Sequence, residues 1–94
     1  MPKVLQIFIE STMWIFSFYD TDIYENRAHI HVGKRGTTNL CKIWLEPMVE
    51  LASQGDFTKQ EANQAVRVAQ NNREDLLNQW NLFKQAQKLT IIKK

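Results

Sequence analysis

Ninety-four residues, 44% of them apolar and 11% aromatic, are enough for one domain with a modest core and too apolar for a disordered chain. The formal net charge of +2 is too small to argue for nucleic acid by itself, and the one cysteine, Cys41, excludes an internal disulfide and fits a reducing cytoplasm. No stretch approaches the ~18 apolar residues of a membrane span, and the first apolar run is too short for a secretory signal.

The first half reads as strands. Residues 4–9 alternate, with Leu5, Ile7 and Ile9 on one face and Val4, Gln6 and Phe8 on the other. After a break at Glu10-Ser11-Thr12, residues 13–19 are aromatic and β-branched and place Trp14, Phe16 and Phe18 together, so the two runs predict a hairpin. Residues 20–27 are polar and read as a loop. A strand over 29–32 follows, then a turn around Lys34-Arg35-Gly36 and a strand over 38–45. An even-length loop puts Ile30 and Val32 on one face with Cys41, Ile43 and Leu45. His29 and His31 then share the other face with Thr38, Leu40, Lys42 and Trp44.

The second half reads as helices. Pro47 suits the first position of a short helix over 47–54, with Gly55 as its stop. Thr58-Lys59-Gln60-Glu61 matches a capping box, and Ala62, Ala65, Val66, Ala69, Leu76, Leu77, Trp80 and Phe83 follow at helical spacing. Asn71-Asn72 is a weak middle in what the pattern makes one long helix. Lys84, Lys88, Lys93 and Lys94 give the end of the chain a basic character, read as a solvated tail over 89–94. The fold class predicted for the single domain 1–94 is α+β. A four-stranded antiparallel meander sheet (1–45) is covered on one face by a short helix and a long C-terminal helix (47–88).

His29 and His31 are the only histidines. On one strand face their Cβ atoms lie roughly 6.6 Å apart. As imidazoles they can pass protons near neutral pH, so they are the candidate catalytic pair of a metal-independent ribonuclease. Lys34, Arg35 and Lys42 would contact the phosphate and Trp44 would stack a base. The bland alternative is packing on Trp44 and bonding to the loop. A metal needs at least one more ligand: Cys41 points to the opposite face, while Asp20, Asp22 or Glu25 could fold back. A loop carboxylate among Tyr19, Asp20, Asp22 and Tyr24 could instead orient an imidazole, against a reading as ordinary turn chemistry. No phosphate loop, Cys-x-x-Cys or HExxH motif is present, and no metal or other cofactor is expected.

Met-Pro-Lys-Val at the start, His29-Ile30-His31-Val32, Trp44-Leu45-Glu46-Pro47, Glu50-Leu51-Ala52, Gly55-Asp56-Phe57-Thr58 and Trp80 occur in that order. In this the chain resembles the small bacterial family known as domain of unknown function 4160. Asn26-Arg27-Ala28 stands where that family has prolines, and Thr37-Thr38-Asn39 and the lysine tail are also untypical. The resemblance implies gene pairing with a second small protein, as in toxin–antitoxin pairs. The expectation is therefore a toxin-like component acting on or binding RNA through the His-x-His strand. The alternative is a non-enzymatic module, antitoxin or adaptor, that binds a partner protein. A sheet face carrying Leu40 and Trp44 would also allow a homodimer, and no membrane partner is expected.

Overall fold

The computed structural model describes residues 2–85 and 91–94. Among these, β1 (Lys3–Ile9), β2 (Thr12–Ser17), β3 (His29–Lys34), β4 (Cys41–Trp44), β5 (Glu50–Ser53) and β6 (Ile92–Lys93) form one six-stranded sheet in the order β5-β4-β3-β2-β1-β6. Helices α1 (Lys59–Asn71) and α2 (Arg73–Lys84) follow β5, and a 3₁₀ turn, Asp20–Tyr24, lies between β2 and β3. The α+β class is as predicted.

Strand alternation decides which residues meet. Ile30 lies opposite Ile43 and Val32 opposite Cys41, while His29 lies opposite Trp44 and His31 opposite Lys42. The faces are shared as predicted. The inner face carries Trp14, Phe16, Phe18, Ile30, Val32, Cys41, Ile43 and Leu45, all buried. Over it lie Ala62, Ala65, Val68 and Ala69 of α1 and Leu76, Trp80 and Phe83 of α2. Alanine at most of the buried α1 positions leaves room for large rings from the sheet side. Trp14 meets Phe57 edge-on at 5.1 Å between ring centroids, and Phe18 meets Trp80 at 5.4 Å.

Three expectations about the architecture need correction. The predicted helix over 47–54 is absent: the chain turns back after Pro47 and β5 pairs antiparallel with β4, with Glu50 opposite Trp44 and Leu51 opposite Ile43. The otherwise unpaired edge of β4 takes these backbone bonds in preference to a helix. The sheet is not a four-stranded antiparallel meander. It is mixed, because β6 runs parallel to β1, with Leu5 opposite Ile92 and Gln6 opposite Lys93. Part of the presumed basic tail is thus an edge strand, while Lys88 lies outside the described residues. Finally, the long helix is two. At Asn72 (φ −118°, ψ 17°) the backbone leaves the helical region, and its side-chain amide donates to the Val68 carbonyl at 2.8 Å, so α2 starts afresh at Arg73.

The loop between β3 and β4 is tied down from the far side. Asp56 accepts from the amides of Thr38 (3.0 Å) and Asn39 (2.8 Å). Gly55 beside it has φ +59°, and a Cβ there would come within 2.5 Å of the Asn39 and Leu40 carbonyl oxygens. No other residue fits that approach.

Candidate functional site

Among the described residues the outer face of the sheet is covered over one half only. There the 3₁₀ turn folds back across β3, and the amide of Tyr19 donates to Asp22 Oδ2 at 2.7 Å, fixing the carboxylate. Asp22 Oδ1 lies 3.1 Å from His29 Nε2, and Oδ2 lies 3.2 Å from His31 Nε2. The three side chains are buried, with exposures of 5% for Asp22, 1% for His29 and 7% for His31. The Tyr19 ring stacks on His31 at 3.9 Å, nearly parallel, and the two imidazoles meet edge-on at 5.2 Å. His29 also packs against Trp44 at 5.6 Å and against Trp80 of α2 at 5.1 Å.

Protonation follows from these partners. His29 Nδ1 is 2.9 Å from the Arg27 carbonyl oxygen, which can only accept, so Nδ1 carries hydrogen. His29 Nε2 faces Asp22 Oδ1, which also can only accept. Burial pushes the His31 imidazole below its ordinary value, against the opposing pull of Asp22, so this ring is neutral near pH 7. Its Nε2 is close to Asp22 but misaligned, and makes no hydrogen bond.

The predicted site residues part company here. Lys42 stands across from His31, with its ammonium 4.5 Å from the Trp44 ring centroid, and the Arg27 guanidinium lies 4.1 Å from the same centroid. Trp44 is therefore a half-buried platform already carrying cations. Lys34 is not brought to the histidines: it lies across from Trp14 on the inner-face register and pairs with Glu61 at 2.9 Å. Arg35 is exposed in the turn, beside Leu40 and Lys3. The histidines are buried under a turn, not displayed on an open strand. Asp22 and Tyr19, grouped in the sequence as turn residues, are their direct partners, and Arg27 is an addition that no motif marked. Cys41 faces the core as expected, where burial pushes its thiol up to about 11.

A shallow cleft of about 530 Å³ opens beside the buried cluster, lined by Tyr19, His31, Asn39, Lys42, Ser53 and Asp56 among others. The described residues leave the other half of the outer face uncovered. Phe8 is 58% exposed next to half-buried Met13, Ile15 and Leu40, and Leu40 lies over Gly33, where a Cβ would meet it at 2.6 Å. Lys3, Arg35 and Lys93 edge this apolar strip.

A small α+β domain with a buried His-Asp-His cluster is thus the class that fold and site define. The chain belongs to the family described as domain of unknown function DUF4160, whose model matches residues 14–81. That span holds both histidines, Asp22, Trp44 and Trp80. No match was found among curated proteins or among solved structures.

Proposed function

We propose that this chain is the protein-binding component of a bacterial toxin–antitoxin pair, and that it docks its small partner on the uncovered half of the outer sheet face. The observation that supports this is the apolar strip Phe8, Met13, Ile15 and Leu40 with Lys3, Arg35 and Lys93 at its rim. Apolar surface edged by one sign of charge fits a partner with an apolar centre and an acidic border. The RNA-directed reading draws on the cleft where Tyr19, His31 and Lys42 meet. Of the two histidines only His31 borders it, since His29 is 1% exposed, and of the predicted phosphate contacts only Lys42 does, since Lys34 is engaged by Glu61 on the opposite side. Acid–base cleavage by the two histidines has less support than docking for that reason.

The test is co-expression of this chain with each gene that flanks its own, followed by co-purification and light scattering of the complex. Phe8→Glu and Arg35→Glu are each expected to weaken the complex at least tenfold while the chain stays folded. An unaltered complex in both variants would reject this surface. A concentration-dependent dimer of the chain alone, lost in Phe8→Glu, would assign the face to a second copy instead. RNA carried through purification and lost in Lys42→Gln would favour the cleft.

A further inference from the structure

We propose that Asp22, His29 and His31 bind one divalent transition-metal ion of the zinc, cobalt or nickel type. The inference goes beyond the docking reading and depends on the covered half of the face alone. One ligand atom from each residue, two imidazole nitrogens and a carboxylate oxygen, lies within 4.8 Å of the other two. That is the spacing of atoms converging on a common centre, and the pairing of Asp22 with His29 leaves the buried His31 Nε2 without a partner.

The orientation of each donor agrees. The Arg27 carbonyl takes the Nδ1 hydrogen of His29, so Nε2, 3.1 Å from Asp22 Oδ1, is the ring atom that faces the cluster and gives up its proton to a metal. Metal-binding histidines are held this way, with the far ring nitrogen donating to a carbonyl. The Tyr19 amide holds the Asp22 carboxylate, which is the corresponding support for an oxygen ligand. His31 Nε2 is buried without a hydrogen-bond partner, and its lone pair is satisfied by a cation. A divalent ion also offsets the charge of a carboxylate that is 5% exposed.

The donor set selects the metal. Two imidazoles exclude magnesium and calcium, which take oxygen ligands. With Cys41 on the opposite face there is no thiolate for a soft monovalent ion. Three protein ligands are one short of a closed structural zinc site and match the count of sites that keep a position for water or a ligand. The stacked Tyr19 ring covers His31 and restricts access to small molecules.

The experiment is titration of the chelator-treated full chain with Zn²⁺ and Co²⁺, read by calorimetry, by metal content after desalting and, for Co²⁺, by visible absorption. The expected result is one ion per chain, a raised Tm and Co²⁺ bands stronger than those of the hydrated ion. Because His29 and His31 are the only histidines, imidazole binding has no other source. His29→Gln, His31→Gln and the near-isosteric Asp22→Asn are each expected to lower affinity at least tenfold, since even loss of supporting groups around a metal typically costs about 10–100-fold. Lys42→Gln, which removes no ligand, retains binding. Failure of the wild-type chain to hold stoichiometric metal would overturn the proposal even if a histidine variant did not fold. So would equal binding by Asp22→Asn and the wild type. The Phe8→Glu variant binds metal normally, which keeps this result separate from that of partner docking.

Discussion

The Cys41 thiol and the His31 imidazole stand next to one another in the sheet and face opposite ways, because Cys41 pairs with Val32 and Lys42 with His31. Cys41 is fully buried, and removing a thiolate from water raises its pKa to about 11. At pH 8 its thiolate fraction is about 100-fold below that of an unfolded cysteine, before access is counted. Alkylation by iodoacetamide, followed by mass spectrometry, is therefore expected to be at least about 100-fold slower in the native chain than in guanidinium. Comparable labelling rates would place Cys41 on the surface and reverse the assignment of faces. The histidine face was legible from residue parity alone, since any even-length loop puts Ile30, Val32, Cys41, Ile43 and Leu45 on the covered side. What parity does not contain is the cover. Asp22 reaches His29 and His31 only because the 3₁₀ turn folds back over the strand, and a polar segment of loop composition does not encode that path.

At the scale of elements, local signals were read correctly where the local interaction decides the outcome. Thr58 caps α1 as its sequence motif requires: its hydroxyl accepts from the Glu61 amide at 3.1 Å and its amide donates to Glu61 Oε1 at 2.9 Å. The segment around Pro47 failed because its fate is settled by distant chain, namely the free edge of β4 and Arg73 of α2. The Arg73 guanidinium donates to the Leu45 carbonyl at 2.8 Å and to the Pro47 carbonyl at 3.2 Å, which joins the start of α2 to the turn between β4 and β5. The break at Asn72 thus has a use, since it sets Arg73 at the helix start where it meets that turn. Arg73→Ala leaves both carbonyls without this donor, and hydrogen bonds to charged groups are worth about 1.5–3 kcal/mol. The expected loss is at the lower end of about 1.5–3 kcal/mol, since Arg73 is half exposed and water replaces part of the interaction. Urea denaturation measures it, and a change below about 0.5 kcal/mol would mean that the turn is held by strand pairing alone.

The molecule as a whole is asymmetric about its sheet. On the inner side two helices complete the core; on the outer side, among the described residues, a short turn covers the histidines and the end near Phe8 is left bare. Trp80 joins the core to the histidine cluster, because it is 4% exposed, packs on Phe18 and Phe83 within the core, and touches His29 at the edge of the cluster. Phe8 is as apolar but 58% exposed, and among the described residues no layer faces its side. If the sheet is two-sided in this way, two aromatic substitutions have opposite consequences. Trp80→Ala empties a packed position and is expected to cost about 3–5 kcal/mol. Phe8→Glu alters a bare surface and is expected to change stability by less than about 0.5 kcal/mol. Paired urea titrations of the two variants decide the point. A Phe8→Glu chain destabilised by several times that bound would mean that the strip packs against another part of the folded chain, and the outer face would then be core rather than a surface on which a partner docks.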